Sequence, residues 1–304
     1  MGSDCANSCL RLICVLSLTE KMKIRNLVTF KPKSRRLLMT KQKSVKGLFI
    51  YCLIGIIAMV PIYLKALSIL STNPAELEQM REMMGISGSP EMLALLGQLP
   101  NYIVLIIALV IGFFTAHKVG LKSVIMHPNA REKSKSEWIK GIKLAIILGS
   151  IAGVVIRGFD YLLLPFLPDG IKELIHPYNA LEFLGALLYG GIVDELLMRF
   201  GFMSLLVFIF WKLFDRKSAK PSYWVFILAI LISTLLFGIG HYPGTASMTE
   251  MTGFIWFRMI LGNGLPGLFF GWIYWKHNLE LAMLAHMFTH IAMNFLMLIV
   301  SFFM

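Results

Sequence analysis

Seven apolar stretches, each long enough to cross a lipid bilayer, constrain this chain more than any other feature of its sequence. They run at roughly 47 to 70, 102 to 118, 142 to 166, 180 to 213, 222 to 241, 253 to 275 and 279 to 303. A hydrocarbon core of about 30 Å asks for roughly 20 apolar residues in a helix. With 57% hydrophobic residues among 304 and a mean hydropathy of +0.72, the chain carries more apolar surface than one soluble core could bury. The fold class expected is all-α, a polytopic integral membrane helical bundle of about seven transmembrane helices. The fourth stretch spans 34 residues, and at about 1.5 Å per residue it exceeds the core thickness. It is expected to tilt, to kink at Gly190, Gly191 or Gly201, or to split and bring the count to eight.

Charge follows the same organisation. Residues 1 to 46 hold eleven Lys/Arg against Asp4 and Glu20, and read as a basic, poorly ordered cytoplasmic tail ahead of a transmembrane domain at 47 to 304. An arginine interrupts the short apolar patch at Leu10–Leu18 and the charges follow it, which argues against a cleaved signal peptide. Met22 and Met39 stand as alternative starts. The net charge of +12 resides in segments flanking apolar runs, the pattern of membrane topology signals and not of a nucleic-acid surface. The tail and the loop from His117 to Lys143 are basic, while the loop between them carries Glu76, Glu78, Glu82 and Glu91. The positive-inside rule therefore predicts an inside N-terminus. Cys5, Cys9, Cys14 and Cys52 show neither a CxxC pair nor ligand spacing, so no disulfide framework or thiolate zinc site is expected. Gly149 with Gly153 and Gly267 with Gly271 have the spacing of close helix packing.

An ionisable side chain at the centre of a membrane helix costs about 2.5 to 3.5 kcal/mol on insertion scales, so such residues need partners, water or a function. Three clusters stand out. Asp194-Glu195-Leu196-Leu197-Met198-Arg199 lies inside the fourth stretch, Phe237-Gly238-Ile239-Gly240-His241 ends the fifth, and His286, His290 and Asn294 share one face of the last at i, i+4 and i+8. Glu195 and Arg199 have the favourable order and spacing of an ion pair. Asp194 points about 100° away and is free to face another helix. One acid could then activate water while histidines orient it or stabilise an oxyanion. On simple boundaries His241 lies at the outer end of its span and His286 about 12 Å from the inner end of its own. Either a boundary is misplaced or the chain dips back after His241.

DELLMR resembles the EExxxR motif, FGIGH the FxxxH motif, and AMLAH followed by His290 the HxxxN/D motif of the CAAX-protease and bacteriocin-processing (CPBP) intramembrane endopeptidases. The three occur in that family's order over about residues 180 to 300, and YGGIVDELLMRFGFMSLL is similar to the family's bacterial members. The resemblance implies Asp194 as catalytic acid, Glu195 as structural acid with Arg199 its partner, His241 as second base, and His286 with His290 as the oxyanion pair. A second register, His290 with Asn294, also satisfies HxxxN. Asp194 stands where the family has glutamate, and His290 where it has asparagine or aspartate. The implied activity is hydrolysis of prenylated or other membrane-associated peptides in a bacterial plasma membrane, among lipids, with no organic cofactor.

Two other functions fit parts of the pattern. One carboxylate with two or three histidines is also a zinc ligand set, although HExxH is absent. A non-catalytic scaffold or immunity protein would retain the polar residues as an interhelical knot. Arg157 and Asp160, i and i+3 in the third stretch, read as a structural ion pair. Trp256, Trp272, Tyr274 and Trp275 read as interfacial anchors.

Overall fold

The computed structural model describes residues 45–126 and 135–303. All but the last two residues of the basic tail, with Cys5, Cys9 and Cys14, lie outside the described residues. The described elements are helices: α1 (Val45–Thr72), α2 (Pro74–Met84), α3 (Pro90–Thr115), α4 (Lys135–Leu163), α5 (180–214), α6 (Tyr223–Gly240), α7 (Gly253–Lys276) and α8 (Leu279–Ser301). Side-chain caps begin several of them. Asn73 accepts from the Ala75 and Glu76 amides ahead of α2, Thr252 from Ile255 ahead of α7, and Asn278 from Leu281 ahead of α8. Gly85, at φ 65°, closes α2 in the left-handed conformation that a side chain would resist.

The surface is that of a protein solvated by lipid. Phe49, Ile57, Ile103, Ile106, Ile147 and Leu231 are exposed along the outer helices. Tyr51, Leu105, Leu109, Phe200, Phe270 and the ion pair Glu195–Arg199 are buried within.

Among the described residues six helices are long and apolar enough to cross a membrane. The stretch expected at 253 to 275 forms the 24-residue α7 but falls outside the six, because Arg258, Asn263, Lys276 and five glycines dilute it. The fourth stretch is one continuous helix, Ala180–Phe214, so the eighth span does not arise. Its excess length is taken up by two π-helical runs, Ala186–Asp194 and Leu196–Met203, whose turns each hold more residues than an α-turn. The fifth span extends through the short helix Tyr242–Ala246 instead of stopping at His241, which removes the expected mismatch in depth.

The glycine pair of α4 sets the position of α8. A Cβ on Gly149 would collide with the Ala285 carbonyl, and one on Gly153 with the Thr289 carbonyl. In that gap Thr289 Oγ1 donates to the Gly149 carbonyl at 3.1 Å. At the other end of the bundle a single oxygen, Glu280 Oε1, accepts from Tyr51 Oη (2.7 Å), Ser123 Oγ (2.8 Å), and the Val124 (2.8 Å) and Ile125 (3.0 Å) amides. The start of α8 is thereby tied to α1 and to the loop after α3. Tyr274 departs from its expected interfacial role: it is fully buried, with its hydroxyl 3.0 Å from Ser204 Oγ.

Candidate active site

The π-helical course of α5 delivers the first polar cluster to the centre of the bundle. Glu195 occupies the junction of the two π runs and is fully buried, as is Arg199. Arg199 Nη1 stands 3.3 Å from Glu195 Oε1, and its Nη2 donates to the Gly267 carbonyl at 3.1 Å. The guanidinium packs between the rings of Phe237 and Phe270, 5.0 and 5.4 Å from their centroids. A charge so deep is tolerable because ion pair, carbonyl and ring faces meet it on several sides.

Glu195 has a second partner. Its Oε1 lies 2.9 Å from His286 Nδ1, which joins the first and third clusters directly. The His286 ring stacks on Phe270 (4.5 Å) and on His290 (5.1 Å), and meets Phe237 edge-on at 5.9 Å. Phe237 also meets His241 in a T-shaped contact at 4.9 Å, so the aromatic of FGIGH touches both histidines. Close approach of His290 to α5 depends on Gly190, where a Cβ would come within 2.7 Å of His290 Nε2.

Asp194, His241, His286 and His290 all line one cavity of about 740 Å³. Asp194 is half-buried, and no hydrogen bond ties its carboxylate to another described residue. His241 Nδ1 is 2.8 Å from the Phe237 carbonyl. A carbonyl oxygen only accepts, so Nδ1 carries the proton and Nε2 the lone pair. The cavity therefore holds two proton acceptors, the Asp194 carboxylate and His241 Nε2, while Glu195 is engaged by Arg199 and His286. Asn294 is placed elsewhere: its Oδ1 accepts from the Tyr178 amide at 2.8 Å, next to the Asn179–Glu182 capping box that starts α5. No group of three or more His, Cys, Asp or Glu side chains is set to hold a metal ion among the described residues.

The cavity also receives residues that sequence reasoning assigned to structure or passed over. Arg157 and Asp160 form the expected ion pair at 3.2 Å, but Asp160 is shared with Arg258 of α7, whose Nε and Nη2 lie 2.9 and 2.8 Å from Oδ1. All three line the cavity, as does Tyr178. An arginine six residues into an apolar stretch was the available signal for Arg258.

Residues 176–292 match a family model described as Rce1-like, type II CAAX prenyl endopeptidase Rce1-like. The matched segment takes in Asp194, Glu195, Arg199, His241, His286 and His290 and stops short of Asn294. No curated protein and no solved structure matches the chain. This segment, with its three motifs gathered around one cavity, is similar to the type II CAAX prenyl endopeptidases of that family model.

Proposed function

We propose that the chain is an intramembrane endopeptidase that hydrolyses a peptide bond of prenylated or other membrane-associated peptides with a water activated by Asp194 and His241. The carrying observation is the division of labour between the adjacent acids. Glu195 turns one oxygen, Oε1, to both Arg199 and His286, whereas Asp194 faces the cavity that His241 also lines. In this reading the water gives a proton to Asp194 as its oxygen attacks the scissile carbonyl carbon, and His241 Nε2 orients the water. The carbonyl oxygen becomes an oxyanion, and the proton reaches the leaving nitrogen as the C–N bond breaks. Glu195 holds His286 by Nδ1, so Nε2 is its nitrogen available to the cavity, where His286 and the His290 stacked on it would line the place of the oxyanion. Arg199 and Glu195 are positioning residues.

The basic segments at 1 to 46 and 117 to 143 support an N-terminus on the inner side of a bacterial plasma membrane. The test is the full chain in liposomes with a prenylated peptide and its unprenylated counterpart, products read by mass spectrometry. Cleavage at one internal bond of the prenylated peptide, lost in Asp194→Asn, is the expected result. Intact peptide with the wild type and with Asp194→Glu would overturn the reading.

A further inference from the structure

The cavity has a second polar wall built from three helical segments. Arg157 and Asp160 come from α4, Arg258 from α7, and Tyr178 from the segment leading into α5. Within it two guanidiniums share one carboxylate. Arg157 Nη1 takes Asp160 Oδ2 at 3.2 Å, and Arg258 takes Oδ1 through Nε and Nη2. Arg157 is 3% exposed, yet its Nε has no hydrogen-bond partner. Burial pushes the Tyr178 hydroxyl up, and the charge and hydrogen bond of Arg157 pull the other way. A structural ion pair needs one arginine per carboxylate. The second arginine leaves the cluster with one positive charge in excess and donors to spare, in a low-dielectric cavity where an unmatched cation is costly.

We propose that Arg157 and Arg258 form a carboxylate subsite that takes the free C-terminal carboxylate of the bound peptide. Planar guanidiniums match a carboxylate in two-pronged geometry, and the subsite shares the cavity with Asp194 and His241. Anchoring the chain end there would fix how far from the C-terminus the scissile bond lies. A phosphate-bearing lipid headgroup shares the same chemistry, but the peptide end is chosen because a peptide must occupy this cavity for the function proposed above, on which the identity of the ligand rests.

The test is equilibrium binding of an N-terminally fluorescent prenylated peptide, as free acid and as C-terminal amide, to the full chain in phosphatidylcholine nanodiscs. The acid should bind about tenfold more tightly than the amide, as expected for one lost charge-assisted contact. Arg258→Gln should bring the ratio close to one, and Arg258→Lys, which keeps the charge, should retain a preference for the acid. Equal binding of acid and amide by the wild type overturns the subsite, as does an acid preference that survives both Arg157→Gln and Arg258→Gln. Parallel cleavage assays separate the two ideas: an acid preference without cleavage leaves the subsite standing and removes the peptidase reading. Cleavage without an acid preference does the reverse.

Discussion

Glu195 and His286 are 91 residues apart in the sequence and 2.9 Å apart in the structure. The same Glu195 oxygen faces Arg199, so one carboxylate orients a histidine and compensates a fully buried guanidinium. Replacing Glu195 by Gln removes the counter-charge while keeping the shape. Breaking a buried pair from one side costs about 3 to 5 kcal/mol, because the remaining charge stays buried. The expected outcome is a marked drop in the melting temperature of E195Q in detergent, together with loss of peptide cleavage. His286→Gln removes only a neutral-capable partner and should melt closer to the wild type while losing activity.

Asp194 is one methylene shorter than the glutamate common at this motif position. Its carboxylate is the acid left unengaged at the cavity wall. Asp194→Asn keeps size and polarity and removes the base, so kcat should fall by about 10² to 10⁴ with little change in KM. Asp194→Glu moves the carboxylate by about 1 Å, a displacement that can cost roughly 10²-fold, so that variant should retain measurable turnover. A wild-type rate in the Asn variant would remove Asp194 from the chemistry.

How much of this was legible beforehand depends on the range of the interaction. The Glu195–Arg199 pair follows from helix periodicity alone, because i and i+4 meet on one face of a helix whatever surrounds it. The apolar stretches gave the helices for a similar reason, since lipid leaves the backbone few alternatives. The contact of His286 with Glu195 could not be derived that way, because it joins α5 to α8, two helices that approach closely at Gly190 and Gly191. Phe237 shows the same limit: its contact with His286 is a property of two packed helices. Tyr274 was misread because an aromatic near a helix end has the same local sequence whether it meets the headgroups or, as here, Ser204 in the core.

A metal-dependent mechanism makes a different forecast. A fully buried guanidinium, Arg199, stands 3.3 Å from Glu195 and opposes a divalent cation beside it. Cleavage should therefore persist after exhaustive dialysis against EDTA and 1,10-phenanthroline, and the active protein should contain no stoichiometric zinc by elemental analysis. Activity lost to chelation and restored by zinc alone would replace the water-activation scheme with a metal-centred one.

Because Gly149 and Gly153 bring α4 against the backbone of α8, a larger residue should act on stability and catalysis together. Gly149→Val would force the helices apart at the Ala285 carbonyl and break the Thr289 to Gly149 hydrogen bond. Overpacking of this kind costs about 1 to 3 kcal/mol. Helix α8 carries His286 and His290, so turnover should fall in the protein that remains folded. Gly158 on the same helix has no atom near a built Cβ, and Gly158→Ala should leave both melting temperature and cleavage close to wild type.

Glu280 makes the sharpest stability forecast because four donors converge on a single oxygen. Tyr51, Ser123 and two successive backbone amides all point at Oε1. Glu280→Ala would withdraw their shared acceptor and leave the half-buried Val124 and Ile125 amides without it. A buried donor left unpaired costs about 1 to 3 kcal/mol, and these donors are only part-buried, so a loss of about that size in total should appear as a fall in melting temperature. Glu280→Gln retains a carbonyl acceptor but not the charge, and should fall between the two. Because this anchor holds the start of α8 two turns from His286, E280Q should also show reduced kcat with KM little changed. A melting temperature unchanged in E280A would mean that the α1 to α8 connection is held by packing and not by this carboxylate.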